Sequence, residues 1–239
     1  MKVSVVVPVY NEQDNILPLA GELQRVQAAV PDLEILFVDD GSRDGTWARI
    51  AEARRQFPCV NGLRYERNRG QSHAMLVGLR EAAGDVLVTL DGDLQNNPAD
   101  IPRLLGELDG VDAVCGYRAK RKDTWARRAG SRLANRARNW ATHDGIRDTG
   151  CSLKVFRKAC VNDLPCVEGV HRFMPAYFAL NGRTIKEVAV DHRARTMGAS
   201  KYTNMKRLPR TIFDLFGFMW YRKRYLRRLS ERDIQRCAP

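Results

Sequence analysis

The sequence contains no glycine-rich phosphate cradle. Neither G-x-G-x-x-G nor G-x-x-x-x-G-K-[ST] occurs in its 239 residues. That excludes the nicotinamide fingerprint and the P-loop, which hold phosphates on loop amides. Any phosphate bound here must be met by metal and basic side chains instead. Long apolar runs are also missing. None approaches the ~18 residues that span a bilayer, and the nearest, Ile212 to Tyr221, contains Asp214 and Gly217. At the amino terminus the apolar run Val3 to Val7 is too short for a secretory h-region and has no small-residue cleavage site, so it reads as a strand. The cysteines, at 59, 115, 151, 160, 166 and 237, form no C-x-x-C pair, and no histidine cluster completes a zinc pattern. A chain this long has core enough without disulfides, so reduced, buried thiols of a cytosolic protein are expected. Internal repeats and low-complexity linkers are absent.

What is present is a globular composition with a strong positive balance. Hydrophobic residues make up 44% of the chain and charged residues 28%, with 40 Lys and Arg against 28 Asp and Glu. The net charge of +12 predicts an anionic partner: nucleic acid, an acidic membrane surface or a phosphorylated ligand. The excess is concentrated. Arg118 to Arg138 holds nine basic residues and one acid, Asp123, and Lys201 to Arg228 holds nine against Asp214 alone. In the second segment the bases flank Ile212, Phe213, Leu215, Phe216, Phe218, Met219, Trp220 and Tyr221. Aromatics that sink beside cations that meet lipid phosphates are the pattern of a helix lying in a membrane interface. The competing reading is an ordinary C-terminal helix with its cations in water.

The first half alternates strand and helix patterns. Strands are expected at 3–9, 33–38, 61–65, 85–90 and 111–116, with helical spacing at 11–29, 44–57, 71–83 and 98–108. Val3 to Val9 is almost continuously apolar, as in a strand buried on both faces. This rhythm predicts an α/β fold with a mostly parallel central sheet and helices on both faces. Further strands are expected at 152–156 and 184–190. The division expected is a catalytic domain over 1–205 and a basic, aromatic helical extension over 206–239.

Two acidic clusters stand at strand ends: Asp39-Asp40 after the second strand, and Asp91-x-Asp93 after the fourth. In an open parallel sheet those ends form the ligand crevice. Clustered carboxylates repel one another unless a cation compensates. Mg²⁺ or Mn²⁺ does so through oxygen ligands, and it also neutralises a diphosphate. Alternate residues share a side, so Asp91, Asp93 and Gln95 are the expected metal ligands, with Gly92 allowing close backbone approach.

Six ordered segments then resemble one family. They are Val6-Val7-Pro8-Val9-Tyr10-Asn11-Glu12, Val38-Asp39-Asp40-Gly41-Ser42, Asn68-Arg69-Gly70-Gln71, Leu90-Asp91-Gly92-Asp93-Leu94-Gln95, and the late segments Asp148-Thr149-Gly150-Cys151 and His192 to Tyr202. Over residues 3 to 205 the chain resembles the family 2 glycosyltransferases of the GT-A fold, in the dolichol-phosphate mannose synthase and polyprenyl-phosphate glycosyltransferase branch. The resemblance implies an inverting hexosyltransferase taking a sugar from a UDP- or GDP-sugar. It implies that Pro8, Tyr10, Glu12, Asp39 and Asp40 line the nucleotide site, with Tyr10 beside the base and Asp39 bonded to base or ribose. Asp91, Asp93 and Gln95 would bind metal and diphosphate, and Arg195 and Lys201 would neutralise phosphates, Arg195 serving catalysis beside Asp91 and Asp93. Arg118 and Arg132 would receive the acceptor phosphate.

A phosphate monoester is mostly dianionic at neutral pH and needs cations more than a base. The basic segments therefore favour a polyprenyl phosphate as acceptor. A hydroxyl acceptor, soluble or on a polysaccharide, would instead want a carboxylate base, for which Asp148 is the candidate. Nucleic acid is not expected as a partner, because Trp125 and Trp140 are the only aromatics at the first basic segment and no reading module is recognisable. The expected place is the cytoplasmic face of a membrane, peripherally, with a small membrane-protein subunit as a possible anchor.

Overall fold

The structure is a computed structural model that describes residues 1–119, 138–193 and 204–226. Its centre is a seven-stranded sheet. The elements run β1 (Val3–Val9), α1 (Gln13–Val26), β2 (Leu33–Asp39), α2 (Thr46–Gln56), β3 (Val60–Arg64), α3 (Gln71–Glu81), β4 (Val86–Thr89), α4 (Ile101–Gly106) and β5 (Ala113–Arg118). There follow β6 (Lys154–Arg157), α5 (Val170–Leu180), β7 (Ile185–Val190) and α6 (Asn204–Arg224). The strand order is β3-β2-β1-β4-β6-β5-β7. All pairings are parallel except those of β6, which runs antiparallel to both β4 and β5.

The uniform apolarity of β1 follows from its central place. Val3, Val5, Val7 and Val9 join the core under α1, α2 and α4, while Val6 joins the core under α3 and α5. Period-two alternation thus distributes one apolar run between two cores. Pro8 is tolerated in this central strand because the pairing of β1 with β4 ends at Val6 opposite Thr89. Its missing N–H falls where no partner strand remains.

Two elements differ from expectation. The helix read over 98–108 is a 3₁₀ turn, Pro98–Asp100, followed by the short α4. Pro102 has no N–H with which to bond back to the Pro98 carbonyl, so the first turn closes tightly, and the Asn97 side chain caps it through the Ala99 amide at 3.2 Å. The helix α5 has no counterpart among the elements expected from the sequence. Its residues Val170, Phe173, Met174, Ala176, Tyr177 and Phe178 are all buried, and Pro175, a residue that normally breaks a helix interior, lies inside it.

The C-terminal helix α6 lies along α5. Phe218 is fully buried, stacked on Phe173 at 5.7 Å between ring centroids and edge-on to Tyr177 at 5.1 Å. Arg172 pairs with Asp214 at 2.9 Å. The opposite face shows Ile212, Phe213, Phe216 and Trp220 to the outside, so α6 is apolar on two sides and the described residues cover only one.

Candidate active site

The parallel strands β1 and β2 end together, with Val9 opposite Asp39, and their following loops are laced to each other. The Asn11 amide donates to Ser42 Oγ at 2.9 Å, the Arg43 amide donates to Asn11 Oδ1 at 2.8 Å, and the Glu12 amide donates to Thr46 Oγ1 at 2.9 Å. This lacing fixes Tyr10 and Glu12 at the rim, both partly exposed. Asn11 has a φ of 50°, a left-handed turn that an Asn accepts more readily than most residues.

Asp39 and Asp40 do different work. Asp39 is fully buried; its Oδ1 accepts from the Ser42 amide at 2.9 Å, which closes a turn and leaves the start of α2 uncapped by it. Its Oδ2 has no hydrogen-bond donor among the described residues, although Arg64 Nε lies 3.3 Å away on the neighbouring strand. A buried acceptor without a donor at a strand end suits a ligand N–H or O–H. Asp40 instead accepts from the Arg69 and Gly70 amides at 2.7 and 2.8 Å, tying the 67–70 loop to the end of β2. Burial pushes its carboxyl pKa up, partly countered by those two amides. Gly41, at φ +71°, lies under the same loop: a Cβ there would come within 2.6 Å of the Arg67 carbonyl carbon.

The D-x-D segment leaves β4 as a turn, with Leu94 at φ 62°. Asp91, Asp93 and Gln95 are partly exposed while Gly92, Leu94 and Asn96 are buried. The expected alternation is therefore present, on a turn and not on an extended strand end. A Cβ on Gly92 would meet Val9 Cγ1 at 2.6 Å, so the turn lies directly against β1. Gln71 Nε2 donates to Asp91 Oδ1 at 3.0 Å, and the Gln95 amide donates to Asp93 Oδ1 at 3.2 Å. Ser152 clasps the turn from behind. Its Oγ receives the Asp91 amide at 3.2 Å and Asn96 Nδ2 at 2.7 Å, and its carbonyl receives Thr89 Oγ1 at 2.6 Å. The end of β7 closes the other side: His192 bridges Asn96, and the Arg193 amide donates to Gln95 O at 2.8 Å.

No cluster of three or more His, Cys, Asp or Glu occurs among the described residues. Two carboxylates and an amide oxygen, all partly exposed on one turn, still suit Mg²⁺ or Mn²⁺, which keep water and phosphate among their ligands instead of requiring an all-protein cage. The donor set thus fits the expected ion at Asp91, Asp93 and Gln95.

The basic residues divide. Arg118 is in place at the end of β5, but its fork is engaged: Nε and Nη2 donate to the two oxygens of Asp148 at 2.7 and 2.8 Å. Arg132, Arg195 and Lys201 lie outside the described residues. Pro8, Tyr10, Glu12, Asp39, Asp40, Asp91, Asp93 and Gln95 all come to one edge of the sheet. Sequence reasoning gave no role to Gln71, Ser152 or Arg64. Gln71 and Ser152 do stand in or beside the motifs already singled out, which was the available signal.

Comparison with known proteins identifies the class. The family model for glycosyl transferase family 2 matches residues 4–164, and the chain belongs to that family. It is 36% identical over 228 residues to a dodecaprenyl-phosphate galacturonate synthase of Rhizobium johnstonii, covering 92% of this chain and 67% of that one. It is 38% identical over 220 residues to an undecaprenyl-phosphate 4-deoxy-4-formamido-L-arabinose transferase of Enterobacter sp., covering 90% and 66%. The chain thus spans about two thirds of the length of these relatives. Among solved structures it superposes on glucosyl-3-phosphoglycerate synthase of Mycobacterium tuberculosis, in complex with Mn²⁺, UDP and glucosyl-3-phosphoglycerate, with a TM-score of 0.68 at 20% identity over 92% of this chain and 79% of the other. It also superposes on a mannosyltransferase of Pyrobaculum calidifontis, in complex with GDP-mannose and Mn²⁺, with a TM-score of 0.68 at 20% identity over 90% and 63%. The fold is that of the GT-A glycosyltransferases.

Proposed function

We propose that this protein transfers a sugar from a UDP- or GDP-sugar to a polyprenyl phosphate. The observation that carries this is the joining of two devices at one sheet edge: Asp91, Asp93 and Gln95, partly exposed on their turn, and the buried Asp39, whose Oδ2 accepts no hydrogen bond among the described residues. The names of the relatives support the acceptor class. Asp39 Oδ2 takes an N–H or O–H of the base or ribose, Tyr10 lies beside the base, and Pro8 and Glu12 shape that end. Asp40 holds the loop that walls the site. Asp91, Asp93 and Gln95 hold the Mg²⁺ or Mn²⁺, which when bound neutralises the donor diphosphate. Arg195 and Lys201 add positive charge from the segment that follows the His192 bridge.

The lipid phosphate attacks the anomeric carbon in line, with inversion, as the bond from that carbon to the donor diphosphate breaks and the nucleoside diphosphate leaves with the electron pair. It arrives mostly dianionic and needs no strong base. That suits Asp148, whose two oxygens are engaged by Arg118 and so are not open to take a proton. A hydroxyl acceptor would leave the reaction without a base at that position.

The residues from 206 onward act as a membrane-facing extension of the 1–205 catalytic domain. No helix among the described residues is long and apolar enough to cross a membrane. The uncovered face of α6, with the exposed Lys223 and Arg224 in its last turn, supports a peripheral place on the cytoplasmic leaflet. The same face is available to a membrane-protein subunit.

The test is a radiolabel transfer assay with UDP- and GDP-sugars, polyprenyl phosphate, Mg²⁺ or Mn²⁺, and chelator controls. Metal-dependent label in the lipid phase is expected, lost in Asp93→Ala although that variant stays folded. Undiminished transfer by Asp93→Ala would refute the ion's placement. Donor hydrolysis with no lipid label would move the acceptor to the hydroxyl class.

A further inference from the structure

The Asp91 carboxylate is held from outside its own turn. Gln71, the first residue of α3, donates from Nε2 to Asp91 Oδ1 at 3.0 Å across 20 residues of chain. The neighbouring Asp93 differs: its Oδ1 takes the Gln95 amide, a bond the turn makes for itself. The backbone of Asp91 is fixed separately, by donation of its amide to Ser152 Oγ at 3.2 Å. That bond does not set the carboxylate plane. The last torsion of an aspartate is soft and has no sharply preferred angle, so a bond to one oxygen decides which way the plane faces. The backbone that carries the donor is itself anchored. Asp40 clasps the Gly70 amide at 2.8 Å, Gly70 turns into α3 at a φ of +91°, and its carbonyl receives the His73 amide at 3.1 Å to close the first turn. Ala74 and Met75, next along the helix, are buried. The Gln71 side chain, in contrast, is exposed. Its bond to a carboxylate adds little to fold stability, since water competes for both groups and the glutamine gives up rotamer freedom to make it.

We propose that Gln71 is a positioning residue for the divalent ion: it sets the plane of the Asp91 carboxylate, so that Asp91 faces the same ion as Asp93 and Gln95. The inference rests on the ion's placement proposed above and adds a residue that acts on the ion through Asp91. A hydrogen-bonded partner that orients a metal-binding carboxylate raises affinity, because the ligand has less freedom left to lose when the ion arrives. Asp93 needs no such partner from α3, since its own turn orients it. Asp91 has its orienting bond supplied by a helix that the Asp40 clasp fixes at the same sheet edge.

The experiment titrates Mn²⁺ into wild type, Gln71→Met and Asp93→Ala, each in the presence of UDP and, separately, of GDP. Electron paramagnetic resonance follows the free ion, so the reading does not depend on catalysis. Methionine keeps the length and shape of glutamine and removes only the donor. Because residue 71 is exposed, Gln71→Met should melt with wild type. Its Mn²⁺ Kd should rise about tenfold or more, while its affinity for the same nucleotide without metal stays within about twofold. A merely structural role for Gln71 would not separate these two affinities. Equal Mn²⁺ Kd for wild type and Gln71→Met, with Asp93→Ala defective, overturns the positioning role and leaves the ion's placement standing. A loss of metal-free nucleotide binding as large as the loss of Mn²⁺ binding also overturns it, because Gln71 would then act on the nucleotide or its loop. Equal Mn²⁺ binding by wild type and Asp93→Ala overturns the ion's placement, and the positioning role with it.

Discussion

Replacing Asp40 with asparagine should loosen the 67–70 loop that this carboxylate ties to the end of β2. The wild-type carboxylate accepts from the Arg69 and Gly70 amides at 2.7 and 2.8 Å while almost wholly buried. An asparagine of the same shape offers one oxygen and turns its NH₂ toward the other amide, so one partly buried donor loses its acceptor. Such a loss costs about 1–3 kcal/mol. Part is returned, because burial already pushes the Asp40 pKa up and removing the charge relieves that desolvation. The expected net loss is about 1–2 kcal/mol for Asp40→Asn and about 2–4 kcal/mol for Asp40→Ala, which orphans both amides. The sign with pH is fixed. Because the folded pKa lies above the unfolded value of 3.8, the stability this group adds is greatest at acid pH and declines as pH rises through the folded pKa. The gap between wild type and Asp40→Ala should therefore be wider in acid than at neutrality. Urea melts give the stability, amide exchange at Arg69 and Gly70 locates it, and nucleotide titration should show weaker binding, since the same loop leads into Gln71 and its bond to Asp91. Both variants as stable as wild type, within about 0.5 kcal/mol, would refute the assignment of Asp40 as the clasp of this loop.

Three further outcomes are expected. Gly41→Ala should cost about 2–4 kcal/mol in denaturant melts, since its Cβ would overlap the Arg67–Asn68 backbone at a left-handed φ of 71°. Burial pushes the thiols of Cys115 and Cys160 up to about 12. In a Cys237→Ser background at about pH 8, a thiol reagent should therefore label the exposed Cys166 in the native protein, and Cys115 and Cys160 only after unfolding. Phe216→Glu with Trp220→Glu should weaken sedimentation with anionic vesicles by about tenfold or more while leaving the melt unchanged, because both side chains lie on the uncovered face of α6.

Much of the site is legible in the sequence because its parts are local. Pro8 to Glu12, Asp39-Asp40 and Asp91 to Gln95 each follow a strand visible from its apolar run, and parallel strands must deliver their carboxyl ends to one edge. The alternation of Asp91, Asp93 and Gln95 is likewise readable. Only the tertiary structure decided how these residues are used. Asp39 and Asp40 are adjacent and chemically identical, yet one is fully buried with an oxygen that accepts no hydrogen bond among the described residues and the other clasps a loop that lies about thirty residues on. Gln71 meets Asp91, and Ser152 meets both Asp91 and Asn96, across separations that no local pattern encodes. Arg118 stands in a basic run suited to a phosphate, yet the fold sets Asp148 against it. The antiparallel β6 and the buried α5 are hidden too: a short strand's direction is set by its partners, and Pro175 inside α5 reads locally as a helix breaker that only packing overrides. Sequence determined which groups stand at strand ends, because covalent neighbours and periodicity fix that much. Which of them face a ligand and which hold the site together depended on partners brought in from distant parts of the chain.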